Sequence, residues 1–312
     1  MKAKFLPEAR DLSARLHAFE TRQCPLPALD SAGARASFVT NLIESIRRVR
    51  YISTIRTRGI SARRAEPASR LFDPLKAAVL LAEQGRFDEA CWMVFASVHF
   101  GKNRKTGWRL AGDVIGALGS KNAWNWERIS RRPESFRHWL HKNYSRLRGG
   151  DGVERHFGNH RKYLSLDAWS DRGTGEAFAT YVAWVGTSRD HRLLFSRALT
   201  ECGGDPTRTF ESLFRSMDKA VASFGRTGCF DYLTMIGKLG LARIEPGSTY
   251  MAGATGPHRG ARLLFQDKSA TRRTLDDRLI RLGAALNLPM HVIEDAVCNW
   301  QKSPNAFRPY RG

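Results

Sequence analysis

An all-α fold is predicted for this sequence of 312 residues, and three observations lead to it. Apolar residues recur at the spacing of a helix, as at Phe38, Leu42 and Ile46. Capping residues stand directly before apolar runs, as at Asp73-Pro74, where proline takes the first helical position. No segment alternates apolar and polar residues over the length of a strand, and a hydrophobic content of 42% is enough for a sizeable core.

The first 70 residues are predicted to form an N-terminal helical extension with a basic character. Residues 1–35 are expected to hold a loosely attached helical start and a proline-containing linker at 24–27. A helix over residues 36–65 follows and runs into a strongly basic stretch, 56–64. The rest of the chain, residues 71–312, is then expected to be one helical domain.

The helical pattern is dense and regular from residue 72 onward. Asp73 is expected to cap a helix that runs to Leu81, and Asp88 a second helix that ends at 99–102. A third helix is expected over 108–118. Further helices are predicted over residues 134–147, 153–166, 174–186, 190–201, 206–222, 229–239, 274–286 and 290–301.

The charge of the chain is its unusual feature. Lys and Arg number 51 against 30 Asp and Glu, which gives a formal net charge of +21. A compact protein with this excess repels itself, so the excess favours a polyanionic partner, and nucleic acid is the first choice because phosphate contacts release counterions. A solubility surface and a ribosome-associated protein are the alternatives. Basic residues alternate with aromatic ones, as in 131–139, which is typical of a folded surface and not of a charged tail.

The cysteines and the apolar runs exclude several classes. Five cysteines are widely separated and form no Cys-x-x-Cys pair, so neither structural zinc nor an iron–sulfur cluster is expected, and no metal or other cofactor is predicted. No signal peptide precedes residue 30, and no apolar run approaches the ~20 residues that a membrane span needs. A cytoplasmic protein without a membrane partner is expected.

Two helices around a short glycine-containing turn form the most informative segment. The first helix ends near residue 222, and Phe224-Gly225-Arg226-Thr227-Gly228 leads into the second. Such a turn presents backbone N–H groups of a helix start to a phosphate without reading sequence, and Arg226 adds a positive charge. The alternative is an ordinary helical hairpin in which Gly225 and Gly228 only cap and turn.

Two segments near the C-terminus have the composition of a binding pocket. Residues 299–302 combine an amide, an aromatic ring and a cation within one helical turn, which suits the stacking and hydrogen bonding of an extruded base. The alternative is a core tryptophan beside a solvated lysine. Residues 253–260 are small and end in His258-Arg259-Gly260, which predicts a loop that lines DNA or the base.

The hairpin is similar to the helix-hairpin-helix of the endonuclease III-like DNA glycosylases. Residues 88–119 resemble the early helix of that fold, whose end presses into DNA, with His99-Phe100-Gly101-Lys102 at that end. Residues 156–164 resemble its glycine-then-basic helix start. The three blocks follow one another in the order of that fold.

A closer resemblance is to the alpha-glutamyl/putrescinyl thymine pyrophosphorylase family, itself regarded as glycosylase-like. It extends over roughly residues 70–308. The strings that carry it are His99–Lys102, Phe157–Tyr163, Phe230–Leu233, Gly253–Pro257, Gly260–Phe265 and Glu294–Ser303. The resemblance implies a helix-hairpin-helix glycosylase-like fold and an enzyme that removes hypermodified, for example glucosylated, pyrimidines from phage DNA as a defence.

Carboxylates are the residues that this chemistry needs, because cleavage of the sugar–base bond develops positive charge on the sugar. Asp231, Glu245 and Asp295 are the catalytic candidates. The classical Asp-Thr-His signature after the hairpin is missing here, and Glu245 stands where its aspartate falls. Thr227 or a neighbour occupies the position of the lyase lysine, so a monofunctional glycosylase that uses water is expected.

The resemblance also assigns contact residues. Those expected to bind double-stranded DNA are His99, Lys102, His160, Arg161, Lys162, Gly225, Arg226, Gly228 and Arg259. Those expected to line the base pocket are Tyr232, Glu294, Asn299, Trp300, Gln301 and Lys302. Two other functions remain open: a transferase or pyrophosphorylase-like enzyme that alters the base and leaves it on the strand, and a non-catalytic DNA-binding module.

Overall fold

The computed structural model describes residues 5–309, and within this range the regular structure consists of helices, with no strand. The predicted all-α fold is confirmed. The α-helices are α1 Leu6–Arg22, α2 Ala32–Thr57, α3 Pro74–Glu83, α4 Phe87–Phe100, α5 Arg109–Ile115, α6 Trp126–Arg131, α7 Pro133–Lys142, α8 Thr174–Val185, α9 His191–Glu201, α10 Pro206–Ala220, α11 Gly225–Lys238, α12 Gly256–Phe265, α13 Arg272–Leu286 and α14 Met290–Trp300. Among the described helices, none has the length and apolar character needed to cross a membrane.

The chain divides into two compact units that do not follow the boundary drawn at residue 70. One unit combines residues 5–53 with residues 246–309, and the other is formed by residues 54–245.

The N-terminal helices belong to the core of the first unit, whereas a loosely attached start was expected. Leu16 and Phe19 of α1 and Phe38 of α2 are buried in the same cluster as Trp300 of α14. Arg35 of α2 also donates two hydrogen bonds of 2.8 Å to the carboxylate of Glu20 in α1. The apolar face of α1 is therefore held by packing, which its sequence pattern alone did not reveal.

Helix α4 lies at the centre of the second unit. All of its residues from Ala90 to Phe100 are buried, as expected for a helix that is apolar on every side. Its aromatic rings pack on those of α8 and of the α10–α11 turn: Phe95 stacks on Tyr181 at 3.8 Å and on Phe224 at 4.5 Å between ring centroids.

The structure corrects three of the predicted elements. Residues 153–166 form no α-helix, and only a 3-10 turn occurs at Asn159–Arg161. The backbone there bonds to the end of α4 instead, since the amide of Gly158 donates to the carbonyl of Phe100 at 2.8 Å. Asp88 does not cap α4, because its carboxylate accepts hydrogen bonds from the amide and ring of His191.

The third correction concerns the small-residue segment at 253–260, which was expected to be a loop. Helix α12 begins at Gly256, and a Cβ atom on Gly260 would lie 2.4 Å from the carbonyl oxygen of Val297. Glycine therefore permits α12 to approach α14 closely. Helix α6 was not predicted at all; the side chain of Asn125 caps it by accepting from the amide of Arg128 at 3.0 Å.

Candidate active site

Three segments that are far apart in sequence meet in the second unit. The end of α4 contacts residues 157–161 through the Gly158–Phe100 hydrogen bond, and Arg161 in turn reaches Asp231 in α11. The approach is close enough that a Cβ atom on Gly158 would lie 2.9 Å from the carbonyl carbon of Gly101. The strings that carried the family resemblance in this half of the chain thus form one cluster, which we call the α4–α11 site.

The carboxylate of Asp231 is the exposed acidic group of the α4–α11 site. Arg161 donates from Nη2 to Oδ2 of Asp231 at 2.7 Å, with side chains 3% and 43% exposed, respectively. Nη1 of Arg161 donates to the hydroxyl of Tyr163 at 3.3 Å. A buried guanidinium beside a half-exposed carboxylate holds that carboxylate in one position.

Arg161 is therefore not placed as a phosphate ligand, the role predicted from its sequence neighbours. Its side chain is enclosed and its charge is directed at Asp231. The flanking residues His160 and Lys162 are exposed, as is Tyr163 with 67% of its surface accessible, and burial of the His160 ring lowers its pKa. Lys102 at the end of α4 is exposed as well. Lys102 and Lys162 are thus the exposed cations of the segments that meet in the α4–α11 site.

His99 also requires a revised assignment, because its ring is 1% exposed and cannot touch a phosphate. Its Nε2 lies 3.0 Å from Oγ1 of Thr174, whose own hydroxyl donates to the carbonyl of Ser165 at 2.7 Å. Nε2 must therefore carry the proton and donate, which leaves Nδ1 as a buried acceptor without a partner. Burial, and next the charge of Arg161, lower the pKa of His99 to about 3, so the ring is neutral near pH 7.

The turn between α10 and α11 has the predicted helical-hairpin form. Residues 221–224 join the two helices, and no side chain caps the start of α11. Gly225 is exposed and has a φ of 37°, a value that favours glycine, whereas Gly228 is buried against the ring of Phe224. The guanidinium of Arg226 lies over the ring of Phe230 at 4.5 Å. The phosphate contact predicted for this turn stays a prediction.

The other two catalytic candidates lie elsewhere. Glu245 is exposed, after the end of α11, and is not joined to the Arg161–Asp231 pair. Asp295 belongs to the first unit, where Arg48 donates to its Oδ2 at 2.5 Å and Asn299 donates to its Oδ1 at 2.8 Å. Of the three carboxylates, Asp231 is the one that lies in the α4–α11 site, where the segments of the second unit that resemble the family meet.

The predicted base-pocket residues are not gathered in one pocket. Trp300 is fully buried in the core of the first unit, where its ring meets Phe38 at 5.2 Å and its Nε1 donates to the carbonyl of Pro304. That is the core alternative given above for residues 299–302. Lys302 is exposed and donates to Asn299 at 3.0 Å. The remaining members of the α14 set are Glu294 and Gln301, both half-buried, and Arg259 of α12 is exposed.

Tyr232 is buried too, within a hydrogen-bonded chain that sequence reasoning missed. Its hydroxyl lies 2.9 Å from that of Tyr181, which lies 2.7 Å from Nε2 of His191, and Nδ1 of His191 lies 2.7 Å from Asp88. Since the Asp88 carboxylate accepts from Nδ1 of His191, Nε2 of His191 accepts from the Tyr181 hydroxyl, which in turn accepts from the Tyr232 hydroxyl. Burial lowers the pKa of His191, although Asp88 opposes this shift. Periodicity marks these residues as core and gives no sign of their bonding.

A family model described as alpha-glutamyl/putrescinyl thymine pyrophosphorylase clade 3 matches residues 33–312. No curated protein and no solved structure matches the chain. The helix-hairpin-helix glycosylase form of the all-α fold therefore stays a prediction.

Proposed function

The chain belongs to the alpha-glutamyl/putrescinyl thymine pyrophosphorylase family, clade 3, and from this membership we propose that it is an enzyme acting on a modified pyrimidine in double-stranded DNA. The family is named for an enzyme whose substrate is a thymine derivative. The net charge of +21 supports a polyanionic substrate.

The reaction we propose is hydrolysis of the bond between the modified base and its sugar. The observation that carries this proposal is the half-exposed carboxylate of Asp231, held at 2.7 Å by the buried Arg161. A fixed anion of this kind stabilises positive charge on a sugar ring, which is where charge develops when a glycosidic bond breaks. Exposed His160 and Lys162 beside it would contact the DNA backbone.

In the proposed mechanism, the base leaves the stack and the C1′–N1 bond breaks, with its electron pair going to the pyrimidine. The carboxylate of Asp231 faces the developing positive charge on C1′ and orients a water molecule. The oxygen of that water bonds to C1′ as hydroxide, and its proton is passed to the departing base. Thr227 or a neighbour takes the position at which lyase-type enzymes are expected to carry lysine, so no Schiff base is part of this scheme.

The substrate class we propose is a hypermodified pyrimidine, for example a glucosylated one, in phage DNA. Its removal would leave abasic sites throughout an invading genome, which suits a role in anti-phage defence. The experiment is to incubate the purified chain with phage DNAs that carry different modified pyrimidines and with unmodified DNA. Released base is measured by mass spectrometry, and abasic sites by alkaline strand cleavage.

Matched variants locate the catalytic carboxylate. Asp231→Asn should reduce base release at least about 100-fold while DNA binding persists, whereas Asp295→Asn and Glu245→Gln should retain it. Thermal unfolding of each variant is measured as well, because Asp231→Asn leaves the charge of the buried Arg161 unbalanced. Full base release by folded Asp231→Asn would rule out this assignment.

A second candidate function is favoured by the name of the family. A pyrophosphorylase-like transferase would break a bond on the substituent of the base and leave the C1′–N1 bond intact. The same incubation separates the two reactions. An uncleaved strand that carries a base of altered mass supports the transferase, and free base with abasic sites supports the glycosylase.

A further inference from the structure

The second unit contains a cavity that lies outside the Arg161–Asp231 pair and shares one residue, Lys162, with the proposed DNA contacts. Its volume is about 370 Å³, within the ~300–1,000 Å³ typical of small-molecule sites. Arg148, Arg155, His156 and Lys162 line it, and no carboxylate is among its described lining residues. A concave surface with several basic groups and no acidic one favours an anion.

Arg155 makes the wall of this cavity rigid. Its side chain is 2% exposed, and it donates to Asp113 at 2.6 Å and to Asp151 at 2.7 Å. It also donates to the carbonyl of Arg146 at 2.8 Å, so the segment that carries Arg148 is fixed from within. The charge of Arg155 is balanced by two carboxylates, and its role is to hold the wall.

Arg148 and Lys162 are the cations that face a ligand. Both are exposed and both line the cavity. Within the part of the chain that the structure describes, neither forms an ion pair with a carboxylate. The nearby Glu154 is engaged by Lys105 at 2.8 Å. Two cations on one rigid cavity would together hold a phosphate group.

The rest of the lining is mostly apolar and includes one aromatic ring. Phe157, Leu110, Leu164 and Leu166 contribute to it, together with Asn159 and with Asn103, whose side-chain amide is bonded to the backbone of residues 157, 105 and 106. The carbonyl of Phe157 accepts from Nδ2 of Asn103 at 2.9 Å, which fixes this side of the cavity. A ligand that suits both parts carries a phosphate at one end and a flat, weakly polar ring at the other.

We propose that this cavity binds one nucleotide, with Arg148 and Lys162 on the phosphate and Phe157 and the leucines against the ring. The nucleotide is either free in solution or a single unit of a DNA strand, and the chemistry recognised is the same. The proposal goes beyond base removal and does not depend on Asp231.

The test is a titration of each probe into the purified full chain at a fixed low salt concentration, with binding measured by calorimetry. The probes are thymidine 5′-monophosphate, thymidine, inorganic phosphate and a single-stranded oligonucleotide. Thymidine 5′-monophosphate should bind at least about 10-fold more tightly than thymidine and than inorganic phosphate, because only it fills both parts of the cavity. Arg148→Gln combined with Lys162→Gln should weaken the affinity for thymidine 5′-monophosphate about 10- to 100-fold.

The control removes the same charge elsewhere. Arg131→Gln combined with Arg215→Gln alters two exposed side chains, which pair with Glu127 and Glu211, and should leave affinity unchanged. Binding of the monophosphate supports a free nucleotide as the source, and binding of the oligonucleotide alone supports a strand nucleotide; both support the site. Equal affinity for thymidine, no binding of any probe, or equal losses in the two double variants would overturn it. Base release is measured separately, so failure here leaves the proposed function untouched.

Discussion

The neutral, buried ring of His99 makes the stability of the second unit sensitive to acid. The folded-state pKa lies at about 3, against an ordinary value of 6.5. As pH falls below 6.5, His99 takes up a proton in the unfolded chain but not in the folded chain. The contribution of the neutral His99 ring to the free energy of unfolding is therefore full above pH 6.5 and is lost between pH 6.5 and about 3. The loss approaches about 1.4 kcal/mol per pH unit.

His99→Gln should remove this part of the pH dependence. Glutamine keeps an N–H group that is able to reach Thr174, but it does not titrate. We expect the variant to be less stable than the native chain at pH 7.5 and the difference to shrink by pH 4.5, measured by urea unfolding. His191 has a lowered pKa too, so some acid sensitivity should remain. Parallel loss of stability in both proteins would contradict the assignment.

A second residue-scale prediction concerns Gly158, whose backbone is pressed against Gly101. A Cβ atom at Gly158 would lie 2.9 Å from backbone atoms that have no freedom to turn away. Gly158→Ala should therefore lower the free energy of unfolding by roughly 1–3 kcal/mol. It should also shift Arg161, which the same segment carries.

Gly59→Ala is the matched control, because a Cβ atom there meets nothing within 4 Å. The midpoint temperature of thermal unfolding should fall for Gly158→Ala and stay at the native value for Gly59→Ala. If both variants unfolded at the same temperature as the native chain, the contact between the two segments would not be tight.

At the residue scale, the sequence analysis misjudged the environment of several predicted site residues. His99 and Arg161 were predicted to contact DNA and Trp300 to stack on an extruded base, yet all three are buried. Neighbours along a chain that bends sharply at glycine point in different directions. Exposure therefore depends on contacts between distant segments, such as Arg161 with Asp231, which spacing does not reveal.

At the scale of elements, the hydrogen-bonded chain from Tyr232 to Asp88 links α11, α8, α9 and α4. Tyr181 holds its middle: it accepts from Tyr232 and donates to His191. Tyr232→Phe removes one donor and should cost about 1 kcal/mol, whereas Tyr181→Phe leaves a buried donor and a buried acceptor without partners and should cost roughly 2–4 kcal/mol.

The two changes should not be additive. In Tyr181→Phe combined with Tyr232→Phe, the hydroxyl that lost its acceptor is absent as well, so the cost should be below the sum of the single variants. Urea unfolding of the four proteins gives the interaction energy directly. Additive costs would show that the two hydroxyls are not bonded to each other.

Helices were predictable where apolar periodicity and capping residues agree, and not where contacts with distant segments determine the backbone conformation. Asp73 caps α3 as predicted, with its carboxylate accepting from the amide of Lys76. Residues 153–166 have helix-forming composition, but their backbone groups bond to the end of α4 and to Asn103. The glycines of α12 suggested a loop because the residues of α14 that they pack against lie about 40 positions away in the chain.

At the scale of the whole molecule, the net charge of +21 governs how the chain should bind DNA. If the charge serves nucleic acid, the affinity must fall steeply with salt, because each neutralised phosphate releases condensed counterions. With six to ten phosphate contacts, affinity should fall by about 10³- to 10⁵-fold between 50 and 200 mM salt. Fluorescence anisotropy with a labelled duplex at several salt concentrations measures the slope of the logarithm of the affinity against the logarithm of the salt concentration.

Lys162→Gln, at an exposed position beside the Arg161–Asp231 pair, should lower the size of this slope by about one. Arg215→Gln removes a cation that is paired with Glu211 and should leave the slope unchanged. A slope that does not change in either variant would show that DNA lies on another face, and weak binding without salt dependence would show that the charge serves another partner.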